Sequence, residues 1–275
     1  MIRNIHRHGL VATVEGSGPP LLLLHGLASA RSVWKPIIPL LAEHFTTVSV
    51  DLVGHGDSEW LDPEPLTFTP AEHAAALKPL IDEFGGTMHV SGNSMGGWIG
   101  LEIAANGWAR SVTALCPAGL EFDPWVSRND LLVNNHRISK LLGPGMAPTT
   151  ELVARVPGLR ELMMGYATVD FGSLDLSLLG DSADAMRRAV GFYACHDGML
   201  DLLYTRADEV PADVPVAVVW GTQDVLILPE RQRRVAAPAH AKWIVLDKCA
   251  HVPMWDQPER TAEIICQTAG VLATA

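Results

Sequence analysis

Val90-Ser91-Gly92-Asn93-Ser94-Met95-Gly96-Gly97 is the stretch on which the fold turns. Met88-His89-Val90 leads into it as a short, β-prone segment. Trp98-Ile99-Gly100-Leu101-Glu102-Ile103-Ala104-Ala105 leads out with helical periodicity and runs down at Asn106-Gly107. A serine between glycines at a strand-to-helix turn is the pattern of a nucleophile elbow. So tight a turn predicts an unfavourable backbone conformation at Ser94, and an approach of neighbouring chain so close that positions 92 and 96 exclude a Cβ. The Ser94 hydroxyl should then stand above a sheet at a helix N-terminus, where free N–H groups and the helix dipole favour a developing oxyanion.

Outward from this turn, strands and helices alternate. Leu10–Glu15 reads as an antiparallel edge strand turned by Gly16-Ser17-Gly18-Pro19, and Leu21-Leu22-Leu23-Leu24 as a buried parallel strand ending at His25-Gly26. Ser32–Glu43 reads as a helix and Thr46–Val50 as the next strand. Thr69 caps a further helix with Pro70 at its first position. After the elbow, Ser111–Cys116 is another strand. Val214–Trp220, a helix over Pro229–Ala237, a strand over Lys242–Leu246 and a closing helix over Pro258–Val271 complete the pattern. This alternation predicts an α/β fold, a mostly parallel sheet with helices on both faces. From about Ala118 to Val210 the rhythm breaks into helical candidates, so residues 1–117 and 211–275 are expected to form a core and 118–210 an inserted helical cap.

Composition narrows the function classes. The 275 residues carry a formal charge of −11, which argues against nucleic acid or an anionic membrane as partner. The start of the chain lacks the apolar run and cleavage site of a secretory signal, and Leu21–Leu24 is too short to span a bilayer. Cys116, Cys195, Cys249 and Cys266 lie far apart without metal-binding spacing, so the expectation is a reduced, cytoplasmic protein with no metal and no disulfide. No dinucleotide or phosphate-loop fingerprint is present in the sequence, so no cofactor is expected.

Further motifs join the elbow in order: His25-Gly26-Leu27, Asp51-Leu52-Val53-Gly54-His55-Gly56-Asp57-Ser58, Gly221-Thr222-Gln223-Asp224 and Ala250-His251-Val252-Pro253. With these, essentially the whole chain resembles the α/β-hydrolase fold superfamily in its capped, serine esterase-like branch. The resemblance implies an eight-stranded type of sheet and a triad in the order Ser94, Asp224, His251. His251 would be the general base for Ser94, and Asp224 would fix its tautomer. Glu121 and Asp123 are rivals for the acid. His25 and His55 read as loop-shaping residues, and His196 as solvated or pocket-lining. The oxyanion donors would be the backbone N–H groups of Met95 and Leu27, with Ala28 as the neighbouring possibility.

Met and aromatic residues crowd the middle segment. Most read as packing between helices and sheet, while Trp125, Met163 and Phe192, with Val252, are candidates to line an apolar pocket. The expected reaction is hydrolysis of small to medium, mainly apolar carboxylic esters or lactones through an acyl-enzyme, by a monomer or homodimer. Carbon–carbon bond hydrolysis of aromatic ring-cleavage products is the alternative, weakened because Val252 follows His251 where that group usually carries tryptophan. A perhydrolase or a slow ligand receptor of the same fold ranks below both. Epoxide hydrolases and haloalkane dehalogenases of this superfamily need an aspartate where Ser94 stands.

Overall fold

The computed structural model describes residues 2–121, 129–172, 174–200 and 202–273. Its frame is one eight-stranded sheet of order β1-β2-β4-β3-β5-β6-β7-β8. The strands are β1 (Arg3–Arg7), β2 (Leu10–Gly16), β3 (Pro20–Leu24), β4 (Thr46–Asp51), β5 (Met88–Asn93), β6 (Ala109–Leu115), β7 (Val216–Gly221) and β8 (Lys242–Leu246). β1 and β2 pair antiparallel, β2 adds antiparallel to β4, and every pairing from β4 to β8 is parallel.

The helices are α1 (Ile38–Leu41), α2 (Pro70–Glu83), α3 (Met95–Ala105), α4 (Asn129–Leu142), α5 (Met146–Ala154), α6 (Leu159–Met164), α7 (Ser177–Arg188), α8 (Phe192–Asp197), α9 (Pro253–Asp256) and α10 (Pro258–Thr268). Alternation along the strands sorts the core into two layers. Leu22, Leu24, Val216 and Val218 pack with α2 and α3, whereas Leu21, Leu23, Ala217 and Val219 pack with α1 and α10. Helices thus cover both faces. α2 begins as its sequence dictates: the Thr69 hydroxyl accepts from the Glu72 N–H at 3.3 Å and the Glu72 carboxylate accepts from the Thr69 N–H at 2.7 Å.

Between β6 and β7 the chain adds no strand to the sheet among the described residues; it supplies α4 to α8. No described helix is long and apolar enough to cross a membrane.

Several expected elements differ. β2 is not the edge, because Arg3–Arg7 pairs outside it. Only Ile5 of that strand is apolar and partly buried, and its other four residues are exposed, so the strand carries no burial pattern to read. The helix expected over Ser32–Glu43 is a 3₁₀ turn at Arg31–Trp34 followed by the short α1. Pro229–Ala237 is two 3₁₀ turns rather than a helix. There the Arg233 N–H donates to Leu120 O at 2.6 Å and Gln232 bridges Glu121, so the backbone bonds outward instead of along a helix. Ser182–Cys195 divides into α7 and α8, and the Gly191 N–H between them donates to Gly54 O at 2.9 Å. Gly198–Arg206 is not helical over its described residues.

Candidate active site

The direction of strand progression reverses between β3 and β5, and the crevice outside the carboxyl ends of such strands is where open α/β sheets bind ligands. Ser94 stands there, after β5 and directly before α3. Its φ of 56° and ψ of −119° are the strained turn expected from the sequence. A Cβ at Gly92 would overlap the Gly96 carbonyl, and one at Gly96 would overlap the Leu24 carbonyl, so both glycines are dictated by close approach of backbone. Ser94 is 8% exposed.

His251 and Asp224 arrive from the far side of β6. The His251 Nδ1–H donates to Asp224 Oδ2 at 2.8 Å, and Asp224 Oδ1 accepts from the Leu226 and Ile227 N–H groups, both at 2.9 Å. Asp224 is therefore held as an acceptor by its own turn, and the paired Nδ1 leaves Nε2 as the imidazole's basic nitrogen. Asp224 is the carboxylate on His251. Glu121, one rival, accepts from the Leu228 N–H, and Asp123 lies outside the described residues. Burial pushes the Glu121 carboxyl up to about 7, the Leu228 N–H opposing and the Asp224 charge adding to the rise.

Asn93, which the sequence reading passed over, ties the two halves of the site. Its side-chain amide donates to Leu115 O at 3.2 Å and to His251 O at 2.9 Å. It joins the serine's turn to the loop of the histidine, across 158 residues of chain.

Met95 is the first residue of α3, so its N–H is one of the groups a helix start leaves without an intrahelical acceptor. Gly26 lies against the serine: a Cβ there would come 3.1 Å from Ser94 Cβ and 3.6 Å from Ser94 Oγ. That places the Gly26 Cα beside the serine side chain. The loop is shaped by His25, whose Nδ1–H donates to Gly26 O at 2.7 Å while Nε2 accepts from the Leu52 N–H at 3.0 Å. Complete burial drives the His25 imidazole down to about 4 and that of His55 to about 3, so both rings are neutral supports. His196 is buried and stacked on Phe192 rather than solvated.

Of the four pocket candidates, the side chains of Phe192 and Val252 are among those described. Trp125 lies outside the described residues, and of Met163 only the backbone, within α6, is described. Phe192 is fully buried, with His136 stacked on it at 4.1 Å, and serves as core packing. Val252 is buried beside His251, its N–H donating to Ala167 O at 3.0 Å.

Among the described residues, Cys116, Asp224 and His251 are the group of side chains close enough to share an ion, their ligand atoms lying within 4.8 Å of one another. The chemistry fits a metal poorly. Burial holds the Cys116 thiol far above its ordinary range, so it keeps its proton, and the other two already pair with each other.

The model for the alpha/beta hydrolase family matches residues 21–264. Epoxide hydrolase EphH of Mycobacterium tuberculosis is 32% identical over 198 residues, 67% of this chain and 87% of that protein. Among solved structures, a thermophilic esterase from Thermogutta terrifontis shares 22% identity at a TM-score of 0.69, with 100% of each chain covered. The 2-hydroxy-6-oxo-6-phenylhexa-2,4-dienoate hydrolase from a Rhodococcus strain shares 24% identity at a TM-score of 0.69, covering 98% of this chain and 99% of that one. At these identities the two structures establish a common fold.

Proposed function

Because the chain belongs to the alpha/beta hydrolase family, we propose that it is a serine hydrolase cleaving small to medium, mainly apolar carboxylic esters or lactones. The observation that carries the reading is Ser94 on its strained turn at the start of α3, with a buried His251–Asp224 pair at 2.8 Å on the neighbouring loops. In this reading His251 Nε2 takes the Ser94 proton as Oγ attacks the ester carbonyl. The carbonyl oxygen becomes an oxyanion facing the Met95 and Leu27 N–H groups. Collapse expels the alcohol, protonated by His251, and leaves an acyl-serine. Water, deprotonated by His251, then releases the acid and regenerates Ser94.

The helical segment 118–210 would cover the crevice as a cap. The partner is a small-molecule ester, and the reaction calls on no cofactor. Similarity to EphH does not carry epoxide opening to this chain. In this family that chemistry uses an aspartate nucleophile, and position 94 is serine.

The test is turnover of p-nitrophenyl acetate, butyrate and octanoate by the protein and by Ser94→Ala. Sustained turnover by the native chain, falling by about a thousandfold or more in the variant, is the expected result. Equal inertness of both proteins would remove ester hydrolysis and leave carbon–carbon substrates to be tried. Activity undiminished in Ser94→Ala would remove Ser94 from the mechanism.

A further inference from the structure

We propose that Asp256 is a positioning residue for His251, clamping the loop of the histidine to the strap Ala167–Asp170 that joins α6 to α7. The proposal rests on the reading of His251 as the general base.

One carboxylate gathers donors from two separate segments. Asp256 Oδ1 accepts from the Thr168 hydroxyl at 2.5 Å, from the Val169 N–H at 2.9 Å and from the Asp170 N–H at 3.2 Å. Its Oδ2 accepts from the Ala250 N–H at 2.7 Å, the residue directly before His251. On the other side of the histidine, the Val252 N–H donates to Ala167 O at 3.0 Å. The residues on both sides of His251 are thus tied through their N–H groups to the same strap, Val252 directly and Ala250 through Asp256, while the His251 carbonyl is taken by Asn93 at 2.9 Å.

The platform beneath the clamp is anchored. Asp256 ends α9, whose Trp255 indole N–H donates to Val33 O at 3.0 Å, and Met254 and Trp255 are buried. Thr168 is fully buried at the other end. Hydrogen bonds to a carboxylate are among the stronger ones, and four donors on one group leave it little freedom. The consequence is coupling. The imidazole meets Asp224 in register only while the strap of the helical segment is docked, so displacement of the strap disarms the base. A fit of base to serine that slips by about 1 Å costs on the order of a hundredfold in rate.

Asp256→Asn separates the two halves of the clamp. The amide oxygen can still accept from the strap, but the NH₂ group faces the Ala250 N–H donor against donor. Thr168→Val does the reverse, removing one strap donor in a nearly isosteric side chain and leaving the Ala250 bond. The readouts are the phosphonylation rate of Ser94 by a small fluorophosphonate, kcat and KM on p-nitrophenyl butyrate, the melting temperature, and amide exchange at 250–252.

Asp256→Asn is expected to slow phosphonylation and kcat by about 10- to 100-fold with KM within about twofold, and to speed exchange at 250–252. Thr168→Val should slow phosphonylation severalfold without lowering the melting temperature. Native rates in a folded Asp256→Asn would overturn the proposal. If that variant fails to fold, Thr168→Val decides: a slower rate supports the clamp and an unchanged rate overturns it. If the native protein is not phosphonylated at all, the serine hydrolase reading fails, and exchange alone judges the clamp. Faster exchange at 250–252 in Asp256→Asn then supports it, and unchanged exchange overturns it.

Discussion

Glu121 has a carboxyl group to which the proposed triad assigns no catalytic task. It follows β6, is 6% exposed, and accepts from the Leu228 N–H in the loop that also carries Asp224. Its folded-state value of about 7 lies above the ordinary 4.5, so between those values the folded chain holds a proton that the unfolded chain has released. Stability from this group is therefore full below about pH 4.5 and is lost as pH rises through 7. Glu121→Gln keeps the shape and removes the titration. The variant should match the native protein near pH 4.5 and exceed it by about 3 kcal/mol at pH 8, measured by urea unfolding at both pH values. A constant difference across that range would rule out the account. The same residue shows what sequence could resolve at this scale. Ser94, Asp224 and His251 sit in short local motifs, so the strained turn at Ser94 and the pairing of His251 with Asp224 could be expected from sequence. The roles of Asn93 and Asp256 could not, because they bond across 158 and 88 residues of chain, where no local pattern signals a partner.

At the scale of elements, two glycines near the elbow answer to different demands. Gly92 faces the Gly96 carbonyl, backbone that cannot rotate away. Gly100 lies one turn further along α3, where a Cβ would meet Val90 Cγ1 at 3.3 Å and Val112 Cγ1 at 3.4 Å, both ends of side chains. Gly92→Ala should accordingly cost more than about 3 kcal/mol or prevent folding. Gly100→Ala gains up to about 1 kcal/mol of helix propensity against mild crowding and should change stability by less than about 1 kcal/mol. Thermal melting of the two variants separates these outcomes, and similar losses in both would show that the elbow's packing is misjudged. The strands that were legible are those whose burial imposes a pattern: Leu21–Leu24 and Val216–Trp220 are apolar throughout because both faces are covered. β1 was not, since an exposed edge selects no pattern. The segment 229–237 scored as a helix on local preference and lost to tertiary bonds with Leu120 and Glu121.

Across the whole molecule, a row of buried imidazoles runs from the loop after β3 to the helical segment. His25 and His55 lie with ring centroids 5.3 Å apart, His55 and His73 6.3 Å apart, and His73 Nε2 meets Cys195 Sγ at 3.3 Å. All three are fully buried, and burial is the largest cause holding each ring neutral: His25 falls to about 4, His55 to about 3, and His73 well below its ordinary 6.5. A lowered histidine stabilises the fold above 6.5, where neither state is charged. That contribution is lost as pH falls toward the folded values, because the unfolded chain binds protons that the folded chain refuses. Near pH 5.5 the three rings should make unfolding take up close to three protons; His89 and His136, also lowered chiefly by burial, add to that uptake, and Glu121, which releases about one on unfolding there, brings the net to about two or more. Stability should then fall by about 3 kcal/mol for each pH unit below 6, ahead of any general carboxylate titration. Calorimetric unfolding at pH 5.5 in buffers of different ionisation enthalpy measures the uptake directly. A net uptake of about two or more places the acid sensitivity of the fold in its buried rings, this row foremost. No uptake, or a net release, would mean that the rings are hydrated or charged in the folded protein and that the support of the loop after β3 is built differently.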